Sequence, residues 1–263
     1  MLGIGIITYN RLHELRRCLR SMYRVATEPF KLVVWDNTEK NATIREFVTK
    51  SYPDIVYLSD HTNRGCAVGR NRIYSRLREL YGDDLEYFLY LDQDVEILPG
   101  SISSMIELSK QREDWGAISW PQANMSNCEP LNDGLVSDIA GMCSLYRPEA
   151  LEAVAKRSKV GIWDERFLFY RFDSLLAQRL NHEGYYIYLV MKYYVTLLDY
   201  SQQVGGVIHH HPHLGVQMNP HYHRVKEASN NLYNRIMKEE GWKFWNPRRE
   251  GKPSPYHKRL MGL

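Results

Sequence analysis

Short apolar runs alternate along this chain with longer segments whose apolar residues recur every three or four positions. Leu2–Thr8 is a compact β-like run. After it, Leu12, Leu15, Leu19 and Met22 repeat at the spacing of one helical face, which predicts a helix over Arg11–Arg24. Lys31–Trp35 reads as a second strand ending at Asp36-Asn37, and Ile55–Leu58 as a third. Arg70–Leu80 has the helical period, and Glu86–Leu91 is a fourth strand. This alternation predicts an α/β fold with a mainly parallel sheet, helices on both faces and right-handed crossovers. Ligands of such sheets lie beyond the carboxyl ends of the strands. The polar residues at those ends are Thr8, Asn10, Asp36, Asn37 and Asp92 to Asp94.

The second half is less regular. Ala117–Trp120 and Ile139–Tyr146 read as strands, and Pro148–Arg157 as a helix with proline in its first turn. Asp173–Glu183 is a helix with Leu175, Leu176 and Leu180 apolar and Gly184 as its stop. Tyr185–Leu198 is aromatic and β-branched, hence strand. Gly205–Pro220, with glycines, prolines and a histidine cluster, reads as a loop, and Asn230–Glu240 as a closing helix. No internal repeat or linker stands out, which predicts a single domain over residues 1–245. Residues 246–263 then form a basic tail rich in proline and glycine.

Composition narrows the class. With 263 residues, 44% hydrophobic and 25% charged, the chain can bury a sizeable core. A net charge of +3 is too mild to imply a polyanion partner by itself. Its distribution is uneven, because residues 221–263 carry 10 Lys and Arg against 4 Glu. That excess suggests either a phosphate-facing surface or an ordinary solvated helix and tail. Cys18, Cys66, Cys128 and Cys143 show no paired spacing, which favours a reducing compartment over a disulfide framework. The first strand starts at residue 2, and no run reaches 18 apolar residues. A cytoplasmic protein is the expectation, with peripheral contact at the inner membrane face as an option.

The sharpest chemical feature is the end of the fourth strand. Tyr87-Phe88-Leu89-Tyr90-Leu91 is too apolar for an edge, and Asp92-Gln93-Asp94 ends it abruptly. Two carboxylates held close repel each other unless a proton or cation lies between them. Oxygen donors of this kind suit Mn²⁺ or Mg²⁺, which can also bridge a diphosphate. The competing structural reading makes Asp92 a turn cap and Asp94 a solvated residue.

The ordered motifs resemble those of the GT-A glycosyltransferases of family 2, with the flavour of rhamnosyltransferase-like members. They are Ile6-Ile7-Thr8-Tyr9-Asn10-Arg11, Val33-Val34-Trp35-Asp36-Asn37, the Asn63–Asn71 segment, Leu91-Asp92-Gln93-Asp94 and Trp163-Asp164-Glu165-Arg166-Phe167. The resemblance spans about residues 3–245 and implies a Rossmann-like GT-A domain. About 1–100 would bind the nucleotide and about 101–220 the acceptor. It implies transfer of a sugar from a UDP- or dTDP-type donor to an acceptor hydroxyl, with Mn²⁺ or Mg²⁺.

The resemblance also assigns residues. Thr8, Asn10 and Arg11 would line the base and ribose pocket, together with Asn37, and Asp36 would accept a hydrogen bond from the base imide. Asn63, Gly65 and Gly69 belong to a turn that lets the nucleotide approach the backbone, with Arg64 or Arg70 reaching a phosphate. Asp94 is the metal ligand expected first, with Asp92 and Gln93 beside it. One of the clustered histidines, His209 or His211 among His210, His213, His221 and His223, is a further metal candidate, and Asp199 competes with them. Asp173 would be the base that deprotonates the acceptor, giving inversion. Its position at a helix start also permits a plain capping role. Phe172 and Leu175 stand where many family members have acidic residues.

Three alternatives stay open at the level of sequence. A nucleotidyltransferase would place a glycine-rich phosphate loop after the first strand, where this chain has Thr8-Tyr9-Asn10-Arg11. A non-catalytic sugar-nucleotide-binding protein would lack turnover. The acceptor expected from the resemblance is a saccharide or lipid-linked glycan. A nucleic acid or an anionic membrane surface could instead meet the C-terminal Trp242, Phe244, Trp245, Arg248, Arg249, Lys252, Tyr256, Lys258 and Arg259.

Overall fold

β1 (Leu2–Thr8) is buried along its whole length, as a strand with parallel neighbours and helices on both faces must be. It lies between β2 (Phe30–Asp36) and β4 (Tyr87–Asp92), parallel to both. β3 (Val56–Leu58) extends this sheet beyond β2. The computed structural model describes residues 1–39, 42–120, 134–139, 141–190, 208–210 and 220–242.

The crossovers are helical. α1 (Leu12–Val25) buries Leu15, Cys18, Leu19 and Met22, the face read from the spacing. α2 (Ala42–Ser51) joins β2 to β3, and α3 (Cys66–Tyr81) joins β3 to β4. Glycine lets α3 approach β1 closely. A Cβ at Gly3 would lie 3.0 Å from Leu77 Cδ1, and one at Gly5 would lie 2.5 Å from Ile73 Cγ2.

The second half completes the same sheet. β5 (Val95–Ile97) and α4 (Ser101–Lys110) follow β4, and then come β6 (Trp115–Ser119), β7 (Leu135–Val136) and β8 (Cys143–Tyr146). α5 (Pro148–Arg157), α6 (Phe172–His182) and β9 (Tyr186–Leu189) come next. β10 (Ile208–His210) and α7 (Pro220–Glu239) close the described chain. The strand order is β3-β2-β1-β4-β8-β6-β9-β7. β8 and β7 run against the common direction, so the sheet is mixed at its far side and parallel from β3 to β4. Because β4 pairs directly with β8, the two halves share one sheet and make one α/β domain.

Several boundaries differ from the sequence expectation. α2, β5 and α4 were not expected. α2 buries only Ile44 and Val48, and β5 is three residues long, too short for alternation to register. The strand expected from Ile139 begins at Cys143, and the one expected over Tyr185–Leu198 is described only as Tyr186–Leu189, with 191–198 outside the described residues. Within the expected loop Gly205–Pro220, Ile208–His210 is a strand, pairing antiparallel with β5. The tail at 246–263 lies outside the described residues. No helix among the described residues is long and apolar enough to cross a membrane.

Candidate active site

Parallel register sets the first part of the site. Thr8 is paired with Asp36 across β1 and β2, and Ile7 with Asp92 across β1 and β4, so three strand ends finish together. The Thr8 hydroxyl donates to Gln93 Oε1 at 2.6 Å, and the Tyr9 N–H reaches the same oxygen at 3.2 Å. Asn10 takes a left-handed conformation, φ 52°, and donates its N–H to Thr38 Oγ1 at 2.9 Å. Asparagine tolerates that region better than most residues. The turn after β1 is therefore fastened on one side to the turn after β4 and on the other to the turn after β2.

Asp36 already holds partners of its own. It is buried, and both carboxylate oxygens already accept bonds: Oδ1 from the Thr38 N–H at 2.8 Å and Oδ2 from the Tyr57 hydroxyl at 2.7 Å. A base imide would have to share an oxygen with one of these donors. Asn37 is likewise committed, accepting from Trp35 Nε1 at 2.7 Å and donating to the Gly65 carbonyl at 3.2 Å. Asn63 Oδ1 caps the same turn through the Gly65 N–H at 3.1 Å. Gly65 has φ 82°, and a Cβ there would press on the Leu168 carbonyl at 2.5 Å, so the turn requires glycine. These bonds tie Asn10, Asp36, Asn37, Asn63 and Gly65 into one network beyond the ends of β1 and β2.

Asp92 is the last residue of β4, and Gln93-Asp94 form the turn into β5. Asp92 Oδ1 accepts from the Tyr90 hydroxyl at 2.9 Å. Asp94 Oδ2 accepts from Arg11 Nη1 at 2.9 Å, and Arg11 Nη2 also reaches Glu14 Oε1 at 3.1 Å. Arg11 thus turns toward the carboxylates of Asp94 and Glu14. β10 adds to this corner by register, with His209 opposite Glu96 and His210 opposite Val95, the residue after Asp94. His211, His213 and Asp199 lie outside the described residues.

Whether these residues suit a divalent cation follows from their donors. Among the described residues no three His, Cys, Asp or Glu side chains converge as a metal cage. Two carboxylates at a strand end fit the other common arrangement, an open oxygen site completed by water and substrate phosphate. Asp94, with Asp92 beside it, fits that pattern.

The second part of the site forms at the start of α6. Asp173 is the second residue of this helix, one place inside it, so it is not the cap; Arg171 is. Tyr170 and Arg171 both have φ 69°, a strained pair for non-glycine residues. α7 holds them there: Ser229 Oγ donates to the Phe169 carbonyl at 2.5 Å, and Arg171 Nε donates to Asn230 Oδ1 at 2.8 Å.

Asp173 faces Arg70, and this corrects the phosphate role expected for that arginine. Arg70 is buried at 2% exposure and cannot extend to a nucleotide. Its Nη1 donates to Asp173 Oδ1, and its Nη2 donates to the Gly141 carbonyl at 2.8 Å. The guanidinium carbon lies 3.7 Å from the Tyr90 ring centre and 4.7 Å from that of Phe172. Burial pushes the Asp173 carboxyl up to about 6; Arg70 pulls it down and Asp138 pushes it further up. Asp138 is itself raised by burial, though it accepts from the Ile139 N–H at 2.8 Å and Ser174 Oγ at 2.9 Å.

Tyr90 links the two parts, with its hydroxyl on Asp92 and its ring under Arg70. It was not singled out from sequence, although its place two residues before Asp92 on a strand puts both on one side. Asp138 and Gly141 carried no sequence signal at all. Gly141 yields a prediction: a Cβ there would collide with Asp173 Oδ2. The carboxylate is pinned by Arg70 and can yield only by leaving it. Gly141→Ala should therefore cut turnover about 10-fold or more while the far-ultraviolet circular dichroism stays native.

Parallel strand ends carrying carboxylates are thus joined, in one sheet, to a half carrying the Arg70–Asp173 ion pair. Residues 4–175 match the family described as glycosyl transferase family 2, and the chain belongs to it. It is a glycosyltransferase. An N-acetylglucosaminyl-diphospho-decaprenol L-rhamnosyltransferase of Mycobacterium tuberculosis is 23% identical over 228 residues, covering 70% of this chain and 72% of the relative. An uncharacterized glycosyltransferase of Haemophilus influenzae is 27% identical over 134 residues, 51% of this chain and 42% of its own length.

Solved structures agree on the fold. S. aureus TarS 1-349 superposes with a TM-score of 0.53 at 16% identity, covering 72% of this chain and 57% of TarS 1-349. The mannosyltransferase PcManGT from Pyrobaculum calidifontis, solved with GDP-Man and Mn²⁺, gives 0.52 at 17% identity, with 72% of this chain and 54% of PcManGT covered. The chain thus spans little more than half the length of these solved relatives.

Proposed function

We propose that this chain transfers a sugar from a nucleoside-diphosphate donor of the UDP or dTDP type to a hydroxyl of a saccharide or lipid-linked glycan, with inversion. The observation that carries the reading is the joining of Asp92, two residues from Asp94, to Asp173 through Tyr90 and Arg70. The base and ribose would rest on the floor built by Thr8, Asn10, Asp36, Asn37, Asn63 and Gly65. Asp94, supported by Asp92, would hold Mn²⁺ or Mg²⁺, which when bound neutralises charge on the departing diphosphate.

Asp173 would take the proton of the acceptor hydroxyl as its oxygen bonds to the anomeric carbon. The bond from that carbon to the diphosphate breaks on the opposite face, and its electron pair leaves with the nucleoside diphosphate. Arg70 keeps the carboxylate aimed while Gly141 leaves room for it. Support for a lipid-linked acceptor comes from the M. tuberculosis relative, whose name specifies a diphospho-decaprenol sugar. Support for the donor and metal comes from relatives solved with UDP, UDP-GlcNAc, and GDP-Man with Mn²⁺. The nucleic-acid and membrane readings rested mainly on residues 243–263, outside the described residues. A cytoplasmic location remains part of the proposal.

Asp94→Ala tests the metal step. It should abolish metal-stimulated nucleotide release and remove the gain in UDP affinity that Mn²⁺ confers; metal-stimulated release by this variant at the wild-type rate would refute the assignment.

Asp173 also sets a pH dependence. As a base it must be ionised, so turnover should rise with pH along a limb centred near the value of about 6. Stability runs the other way. The folded carboxyl lies above its ordinary 3.8, so the folded state holds the proton more tightly. Its contribution is full below about pH 4 and is lost as pH rises through about 6. Urea unfolding across this range, wild type against Asp173→Asn, should show that decline only in the wild type.

A further inference from the structure

Arg11 sits where an enzyme that needs a cation on Asp94 would least be expected to hold one of its own. Its Nη1 is 2.9 Å from Asp94 Oδ2, with the Asp94 side chain only 10% exposed and that of Arg11 21%. Its Nη2 is on Glu14, and its Nε is buried with no partner among the described residues. The pair is therefore shielded from solvent, where screening is weak and two cations cannot share one carboxylate cheaply. A guanidinium also matches phosphate oxygens in geometry and charge, so a diphosphate offers Arg11 a replacement partner.

We propose that Arg11 guards the Asp94 carboxylate, holding it against free divalent cations until a nucleoside diphosphate arrives to accept the displaced guanidinium. This rests on the metal role proposed above for Asp94. Metal and nucleotide then bind with positive coupling, each strengthening the other by the same factor. The gate discriminates a cation in solution from one accompanying a donor, and Glu14 keeps the released side chain at the site mouth.

The test is Mn²⁺ binding to the metal-free full chain, read from the electron paramagnetic resonance signal of free Mn²⁺, with and without UDP. The wild type should bind Mn²⁺ weakly alone and at least about 10-fold more tightly with UDP, within the usual range of coupling. Arg11→Gln should tighten binding of Mn²⁺ alone by about 10-fold and shrink the help from UDP to about 2-fold or less. Arg11→Lys keeps the charge and should retain weak binding without UDP. Asp94→Asn should bind Mn²⁺ poorly and cancel the effect of Arg11→Gln in the double variant. Unchanged or weaker Mn²⁺ binding in Arg11→Gln, with Asp94→Asn still deleterious, overturns the gate and leaves the metal site standing. No Mn²⁺ binding by any chain, with or without UDP, overturns both.

Discussion

Replacing Asp173 by asparagine should lower turnover by about 10²- to 10⁴-fold and leave UDP affinity within about 2-fold. Asparagine keeps the shape of the side chain and loses only the capacity to take a proton. The nucleotide floor proposed for the ends of β1, β2 and β4 does not include Asp173, so binding should not register the change. The pH limb near 6 should disappear from whatever activity remains, since the group that titrates there is gone. Turnover and nucleotide affinity measured on the same preparation separate this from a folding defect. Wild-type turnover in Asp173→Asn would remove Asp173 from the chemistry.

Arg70→Met should be the most destabilising single change at the site, at about 3–5 kcal/mol near neutral pH. Methionine fills much of the same volume between the rings of Tyr90 and Phe172 but leaves Asp173 facing apolar surroundings without its counter-charge. The loss comes from an unpaired buried carboxylate rather than from lost packing. It should therefore shrink in acid, where Asp173 can take up a proton, and in the double variant Arg70→Met/Asp173→Asn, where no charge remains. Denaturant unfolding at about pH 5 and about pH 8 reads both effects. A loss of equal size at both pH values would mean that Arg70 acts through packing alone.

Both variants bear on a part of the site that sequence showed only in fragments. The fold's first half was legible because parallel strands covered on both faces carry unbroken apolar runs, as Leu2–Thr8 and Tyr87–Leu91 do. The strand-end rule then placed Thr8, Asp36 and Asp92 together, and the register does align them. What failed was partner assignment. Arg64 and Arg70 looked equivalent in sequence, yet Arg70 is buried against Asp173 while Arg64 makes an exposed pair with Asp60. Helical phase decides this, because Arg70 lies on the α3 face that packs inward with Ile73 and Leu77. Asp138 precedes the run read as a strand and Gly141 lies within it, and their closeness to Asp173 is a product of tertiary packing. Short elements such as β5 escaped because three residues are too few for a pattern.

The most direct test of the whole account is nucleotide release from a panel of UDP-, dTDP- and GDP-sugars by the wild-type chain, with Mn²⁺ or Mg²⁺ and again in excess chelator. The assay counts hydrolysis to water and needs no acceptor. At least one UDP- or dTDP-type donor should yield free nucleoside diphosphate in the presence of metal, and chelator should stop the release. Release that continues unchanged in chelator, or a chain that binds UDP with metal but frees no diphosphate from any donor, would contradict it.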